Sequence, residues 1–413
     1  MTASLKALRL AAVAVAVLSV APTFAQESEA TDFTSMLTEG KASFDFRYRY
    51  EFVDDENFSK DAKASTLRSR LTFASAAYRG FSFLTEFDDV STIGSDNYNS
   101  TANGNGEYPT VADPEGTEVN QAWIKYTVDS LSGSYGRQRI LHGGQRFVGG
   151  VAWRQNEQTY DGFRALYKGG SSLTLDYAYV YNVNRIFGPD DSTAQPADWG
   201  GENHLARADF KFAENHTLSA FAYALDIDER SGWPADKSVD NSTDAYGVEY
   251  SVKIGPVTAK ATYANQSESG DSNLDYNASY YMVEGGLTVL GVKAILGYEV
   301  LGGDNGVGFK TPLATLHKFQ GWADKFLTTP GDGIEDLYVG AKGELGPVQL
   351  GAYYHDFQAE DSNADFGTEI DLVASWPATK NLKLELNYAS FSTDNKVRYS
   401  DTDKTWLTVI FKI

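Results

Sequence analysis

The fold is decided by an alternating stretch early in the chain, Phe44-Asp45-Phe46-Arg47-Tyr48-Arg49-Tyr50-Glu51. Every second residue in it is aromatic, and the residues between are charged. Successive side chains of a β-strand point to opposite faces of the sheet. The stretch therefore predicts a strand with one apolar face and one ionic face.

Similar alternation recurs about eighteen times along the chain, with no helical pattern that could cover the apolar faces. A sheet of that size can close on itself, bury its apolar face in lipid and line an aqueous lumen with its polar face. The sequence predicts an all-β fold, a single antiparallel transmembrane β-barrel of about 18 strands. We expect strands near 42–53, 64–75, 80–90, 117–128, 131–138, 158–168, 171–182, 203–213, 216–227, 243–254, 257–265, 278–289, 291–301, 334–344, 347–357, 366–375, 381–391 and 404–413.

The links between these strands alternate in length. Tight turns are predicted at 129–130, 169–170, 214–215, 255–256 and 345–346, and long polar loops at 91–116, 139–157, 183–202, 228–242, 266–277, 302–333, 358–365 and 392–403. Bacterial barrels have short periplasmic turns and long extracellular loops. A soluble β-sandwich is the alternative, but it does not require long loops on one side only. The final residues Leu407, Val409, Phe411 and Ile413 alternate as well, and we expect their strand to pair with the first strand and remove both sheet edges.

The N-terminus predicts secretion. Lys6 and Arg9 precede a short apolar run, and small residues follow at the positions that signal peptidase reads, so we expect cleavage after Ala25. A membrane anchor is the alternative. Residues 1–25 are then a signal peptide, 26–40 a periplasmic lead-in and 41–413 the barrel. This organisation predicts the bacterial outer membrane, with lipid and lipopolysaccharide as surroundings.

Composition excludes several classes of function. The net charge of −21 argues against binding of nucleic acid, and the absence of cysteine excludes a disulfide framework or thiolate metal site. The five histidines are scattered, so we expect no metal and no cofactor. An omptin-type surface protease is a remote alternative, suggested by Asp88-Asp89 and His355-Asp356. Adjacent strand residues point to opposite faces, so neither pair converges easily and we expect no enzyme.

Arginine is concentrated between Arg47 and Arg207, which predicts an arginine-rich wall in the lumen. Guanidinium groups bind carboxylates in bidentate fashion, so this wall could guide anionic solutes. The alternative is an internal salt-bridge ladder, because Asp45, Glu51, Glu86 and Asp88 lie on neighbouring strands; the pore would then be general or cation-selective. Our candidates for the pore-lining anion track are Arg47, Arg49, Arg68, Arg70, Lys125, Arg137, Arg139, Arg154, Arg164 and Arg207.

The predicted loop 302–333 is too apolar to lie unburied in water. We expect it to fold into or over the barrel mouth and narrow the pore, and loop 139–157, with His142, Arg146 and Trp153, is the second candidate. Alternatively, the two loops only pack on each other at the rim. The predicted constriction residues are Phe309, Leu313, His317, Lys318, Phe319, Trp322, Lys325 and Phe326.

Three stretches carry a family resemblance: Gly136-Arg137-Gln138-Arg139 leading into Arg146-Phe147-Val148-Gly149, then 153–162, and later 311–327. Together with the strand from Phe46 to Glu51, they resemble the alginate-export family of outer-membrane porins. The resemblance implies a monomeric barrel of about 18 strands. In the type member, a polyuronate passes an arginine- and lysine-lined constriction. The implied partners are polyuronates or small anionic solutes.

Overall fold

The computed structural model describes residues 29–413, which form a closed barrel of eighteen antiparallel strands. The signal peptide predicted at 1–25 and the first residues of the predicted lead-in lie outside this range. One short helix, α1 (Phe33–Thr38), precedes the barrel. A small hairpin of two short strands, β14 (Gly303–Asp304) and β15 (Val307–Gly308), is not part of the barrel. The eighteen barrel strands are β1 (Lys41–Asp55), β2 (Ala62–Ala74), β3 (Phe81–Asn97), β4 (Gly116–Val128), β5 (Leu131–Gln138), β6 (Thr159–Gly169), β7 (Leu173–Asn184), β8 (Asp198–Ala213), β9 (His216–Leu225), β10 (Thr243–Ile254), β11 (Val257–Glu268), β12 (Asn277–Val289), β13 (Val292–Leu301), β16 (Ile334–Leu345), β17 (Val348–Gln358), β18 (Asp365–Pro377), β19 (Leu382–Ser392) and β20 (Thr402–Lys412).

The barrel closes between its first and last strands. β1 pairs with β2 on one side and with β20 on the other, in a register that places Asp45 opposite Lys412 and Asp55 opposite Thr402. This confirms the predicted pairing of the terminal strands. With that pair formed, the eighteen-stranded sheet has no open edge.

Exposure alternates along the strands as the period of two predicts. On β1, Arg47, Arg49 and Glu51 are buried toward the lumen. Outward side chains such as Phe163 on β6 and Leu296 on β13 are 55% and 57% exposed, and they form the apolar surface that faces lipid. No helix within residues 29–413 is long and apolar enough to cross a bilayer.

The predicted strand boundaries differ from the structure mainly on the extracellular side. β3 continues to Asn97 and β8 already begins at Asp198, so parts of the predicted loops 91–116 and 183–202 are strand. These extensions carry polar residues on both faces, because they project beyond the apolar band of the membrane. An apolar alternation therefore could not reveal them.

A hydrophobic core fills the extracellular part of the barrel. Val148, Phe309 and Leu313, from the loops between β5 and β6 and between β13 and β16, are almost completely buried. They pack with side chains from the inner wall, such as Tyr280 and Trp406. Both long loops therefore lie inside the barrel as well as against each other.

Candidate functional site: inward loops and lumen cations

Two inward loops meet in the lumen. The first inward loop (139–158) connects β5 to β6, and the second (302–333) connects β13 to β16. Gly149 N donates to Leu313 O over 2.8 Å, and Thr315 N donates to Gln145 O over 3.0 Å. These backbone hydrogen bonds make the two loops one structural unit.

Arg146 fastens this unit to one wall of the barrel. Its Nε lies 2.7 Å from Glu299 Oε1 on β13, and its Nη2 donates to Gln320 Oε1 of the second inward loop over 3.1 Å. Arg146 and Glu299 are 5% and 4% exposed, so this is a buried ion pair. One side chain of the first loop thus holds both the wall and the second loop.

Arg154 fastens the unit to β1, beside the junction of β1 and β20 where the barrel closes. Its guanidinium binds Glu51 of β1 at 3.0 Å and also lies 3.6 Å from Asp324 of the second inward loop. Burial alone would raise the pKa of Asp324, but His317, Lys404 and Arg154 hold it below its ordinary value. Lys404 of β20 lies 2.8 Å from the same carboxylate.

Trp153 is the centre of a stacked aromatic cluster. Its ring is parallel to His317 at 4.0 Å and meets Trp406 of β20 edge-on at 5.6 Å. The guanidinium of Arg49 lies 4.3 Å above Trp153, a cation–π contact. His317 Nδ1 lies 2.7 Å from Asp324 Oδ1. The cluster therefore joins β1, β20 and both inward loops.

The other predicted constriction residues take different places in the second inward loop. Phe309 and Phe326 are buried, and Phe319 lies 4.7 Å below the Arg146 guanidinium. Trp322 is partly buried and reaches Tyr353 of β17. Lys325 does not face the pore, because its Nζ lies 3.0 Å from Asp55 and donates to Thr402. Lys318 alone among the eight is exposed.

The arginine wall is extensively paired. Seven of the nine predicted arginines have carboxylate partners: Arg68 with Asp45, Arg70 with Asp88, Arg137 with Asp161, Arg139 with Glu86, Arg154 with Glu51, Arg164 with Asp176 and Arg207 with Glu249. Arg47 instead donates to Gln155 and to backbone carbonyls of the first inward loop, and Arg49 donates to Trp153 O and Thr408. Arg137 does not face the lumen as predicted, because it shares the outward face of β5 with Tyr135, which is 46% exposed, and its partner Asp161 shares the outward face of β6 with Phe163. The other arginines hold the loops and the wall together.

Glu157 is the loop carboxylate that completes this ladder. It binds Arg70 at 2.7 Å and Arg139 at 2.5 Å, and it lies 3.8 Å from Arg68. Burial would raise its pKa, but Arg139, Arg70 and Arg68 hold the pKa of Glu157 well below its ordinary value. Glu157 was not selected from the sequence, since Arg68 and Arg70 lie on β2, far from it along the chain.

Three cations converge on the tip of the first inward loop. A side chain built at Gly143 would meet Arg207 Nη1 at 2.9 Å, and one at Gly144 would lie 3.4 Å from Lys260 Nζ. Lys318 Nζ donates to Gly144 O over 2.9 Å. We call Arg207, Lys260 and Lys318 the cation cluster.

The cation cluster is only partly neutralised. Glu249 is shared by Arg207 at 3.2 Å and Lys260 at 2.7 Å, and Asp209 lies 2.8 Å from Arg207. Two carboxylates thus serve three cations. Burial, together with Lys260 and Lys342, lowers the pKa of Lys318, as expected for an ammonium group crowded by other cations. Lys318 is nevertheless exposed to the water of the lumen.

Further lysines face the periplasmic half of the lumen: Lys125, Lys253, Lys293, Lys342, Lys383 and Lys412. Lys125 lies 5.3 Å from the Trp123 ring. Lys383 and Lys412 pair with Glu385 and Asp45, each at 2.7 Å. The accessible positive charge is thus carried largely by lysines, whereas the sequence predicted an anion track formed mainly by arginines.

The pairs that suggested a protease do not converge. Asp88 faces the lumen and binds Arg70, whereas Asp89 accepts from Thr117 on the outer face. His355 faces inward and lies 2.9 Å from Asp336. Among residues 29–413, no group of three or more His, Asp or Glu side chains is arranged to hold a metal ion.

The sequence profile of the family described as alginate export matches residues 40–309. The chain belongs to the alginate-export family. No curated protein sequence matches it. Among solved structures, it is similar to OccAB4 of Acinetobacter baumannii (TM-score 0.72, 14% identity, covering 94% of this chain and 99% of that one). OccAB2 of the same species gives a TM-score of 0.71 at 15% identity, covering 92% and 99%.

OpdK of Pseudomonas aeruginosa, solved with vanillate, gives a TM-score of 0.69 at 13% identity, covering 92% of this chain and 99% of that one. At such identities the likeness concerns the fold, an eighteen-stranded outer-membrane porin barrel. This member of the alginate-export family is therefore a porin-like channel of the outer membrane, surrounded by lipid and lipopolysaccharide.

Proposed function

We propose that this channel passes small anionic solutes, with carboxylates as the substrate class, and that they move past the cation cluster. The observation that carries the proposal is the convergence of Arg207, Lys260 and Lys318 on Gly143 and Gly144. Positive charge in a narrow, protein-walled passage raises the local concentration of anions. The anion path then follows the side of the lumen that carries the lysines and not the predicted arginine wall, because most of the arginines are already paired with carboxylates.

Two further features bear on the size of the solute. The inward loops are hydrogen-bonded to each other and packed on the wall, which favours compact solutes over a polymer. OpdK was solved with vanillate, an aromatic carboxylate, which makes vanillate a suitable first probe. Oligouronates are the second probe, since the family is named for alginate export.

A general or cation-selective porin is the second candidate function. It is favoured by the pairing of seven arginines with carboxylates and by the net charge of −21. In that case the arginine ladder is structural, and the cation cluster has no effect on ion flow.

The reversal potential in a salt gradient across a planar bilayer distinguishes the two functions. We expect anion selectivity in the unmodified channel, a shift toward cations in Lys318→Gln and Lys260→Gln, and concentration-dependent block by vanillate. Lys396→Gln is the matched control, because Lys396 lies on the extracellular rim with Glu56 and Asp401. Cation selectivity that is unchanged by Lys318→Gln would contradict the proposal, and block by oligouronates alone would assign the channel to polymers.

We also propose that the channel works as a monomer, because one chain closes its own barrel and supplies both inward loops. Light scattering of the detergent-solubilised protein, corrected for bound detergent, should give the mass of one chain. A trimer mass would contradict this.

A further inference from the structure

The helix α1 has no role in the lumen. It spans six residues, and Asp32 and Ser35 cap it reciprocally: Ser35 N donates to Asp32 Oδ1 over 2.8 Å and Asp32 N donates to Ser35 Oγ over 2.9 Å. A helix this short is not stable on its own in water. Contacts with the barrel must therefore hold it in place.

Met36 supplies the contact with the barrel. It is 5% exposed and packs with Ala30 and Ala76, and Tyr78 and Phe83 lie beside them. Met36 O accepts a hydrogen bond of 3.0 Å from Ala76 N. Ala76 and Tyr78 belong to the short link between β2 and β3, so α1 sits at the periplasmic end of the barrel.

The helix lies on the outer side of the barrel wall. Phe83 shares the outward face of β3 with Phe81 and Phe87, each 47% exposed, whereas Ser82 and Leu84 between them are buried. Gly40, which follows the helix, approaches so closely that a side chain there would meet the outward Phe73 ring at 2.5 Å. The helix thus borders the surface that faces lipid.

The remaining apolar face of α1 is uncovered. Phe33 is 65% exposed and Leu37 is 40% exposed, and they lie one helical turn apart. The helix packs through Met36 against Phe83, which shares the outward face of β3 with Phe81, so its apolar surface adjoins the lipid-facing band. Thr34 and Thr38, about 100° further round the helix, are also exposed and polar.

We propose that α1 is an interfacial anchor that inserts Phe33 and Leu37 into the periplasmic leaflet of the outer membrane. The continuity of its apolar face with the lipid-facing belt selects phospholipid as its partner. Amphipathic helices lie in the membrane plane in this way, with their apolar side chains at the boundary of headgroups and acyl chains. Here the barrel holds the helix, and the lipid covers the rest of it. The anchor is independent of the solute that the channel passes.

The chain contains no cysteine, so a spin label attached to an introduced cysteine reports on that position alone. Phe33→Cys and Leu37→Cys are spin-labelled in the full channel, reconstituted in phosphatidylethanolamine–phosphatidylglycerol vesicles. Electron paramagnetic resonance then compares collisions with oxygen, which partitions into lipid, and with a water-soluble nickel chelate. We expect an oxygen-to-nickel collision ratio several-fold higher at positions 33 and 37 than at the matched controls Thr34→Cys and Thr38→Cys.

Two results would overturn the anchor. Equal ratios at all four positions would place the helix in water. Labels at 33 and 37 that are shielded from both reagents would show that protein covers this face, whether from the preceding residues or from a second copy. Both substituted side chains are exposed, so the barrel should still form, and its resistance to unfolding by detergent at room temperature verifies this for each variant.

Discussion

Arg146 of the first inward loop and Glu299 of β13 form a buried ion pair, with 2.7 Å between Nε and Oε1. The same arginine donates to Gln320, whose Nε2 in turn donates to Glu299. These three residues thus close a ring that joins the barrel wall to both inward loops.

Arg146→Met should release this ring, because Glu299 would keep its buried charge without its cation. Breaking a buried pair in this way costs about 3–5 kcal/mol. We expect a lower thermal midpoint, larger single-channel conductance and more current noise. The matched control is Lys60→Met at the exposed pair with Glu107, which should change neither. A quiet channel of unchanged conductance in Arg146→Met would show that the loops are held by their apolar packing alone.

Gly143→Ala should disturb the cation cluster. Gly143 has φ of +51°, and a methyl group there would lie 2.9 Å from Arg207 Nη1. Gly170→Ala is the control, because Gly170 has φ of +64° with nothing within 4 Å of the added carbon. Both changes carry the backbone cost of about 1–2 kcal/mol. Only Gly143→Ala should also alter the reversal potential, and equal behaviour of the two variants in the bilayer would argue against a cluster at this glycine.

Acid should loosen the first inward loop through Glu157. Its pKa in the folded channel lies well below the ordinary 4.5, so its ion pairs stabilise the folded state above that pH and are lost as the pH falls through the lowered value. The thermal midpoint should therefore stay level from about pH 7 to about pH 5 and fall in more acidic buffer. Glu157→Gln should start lower and depend less on pH. If the thermal midpoint of Glu157→Gln fell with acid as steeply as that of the parent channel, Glu157 would not be the cause of the fall.

Charge on the outer surface should be costly where the strands cross lipid. Leu296 faces outward near the middle of β13 and is 57% exposed. Leu296→Lys should destabilise the channel in vesicles by about 2–4 kcal/mol, measured by denaturant unfolding. Val397 is 98% exposed in the extracellular link between β19 and β20, so Val397→Lys should be tolerated. Equal stability of the two variants would contradict the assignment of the outward face to lipid.

The barrel could be predicted from sequence because a period of two is a local property of each strand. The alternation around Arg47 and Arg49 predicts the face on which those side chains are buried, and the apolar ending of the chain correctly predicts closure with β1. The extensions of β3 and β8 escaped this reasoning, since residues beyond the membrane need not alternate in polarity.

The arrangement of the lumen could not be predicted in the same way. Arg146 and Glu299 are 153 residues apart, and no local pattern pairs them. The same holds for Lys318 and Gly144, which are 174 residues apart. The concentration of arginine between Arg47 and Arg207 is visible in the sequence, but it does not show whether each guanidinium is neutralised by a carboxylate. Pairing depends on which strands become neighbours and on where the loops turn inward.

The seam between β1 and β20 has a consequence for the order of assembly. The second inward loop is fastened to residues on both sides of that seam, through Lys325 to Asp55 on β1 and to Thr402 on β20, and the first reaches across to Glu51 and Trp406. Until β1 and β20 pair, the loops can contact the residues of only one of these two strands. The narrow part of the passage is therefore completed only when β1 and β20 pair, and a barrel whose first and last strands are still apart carries loops that are not fully anchored.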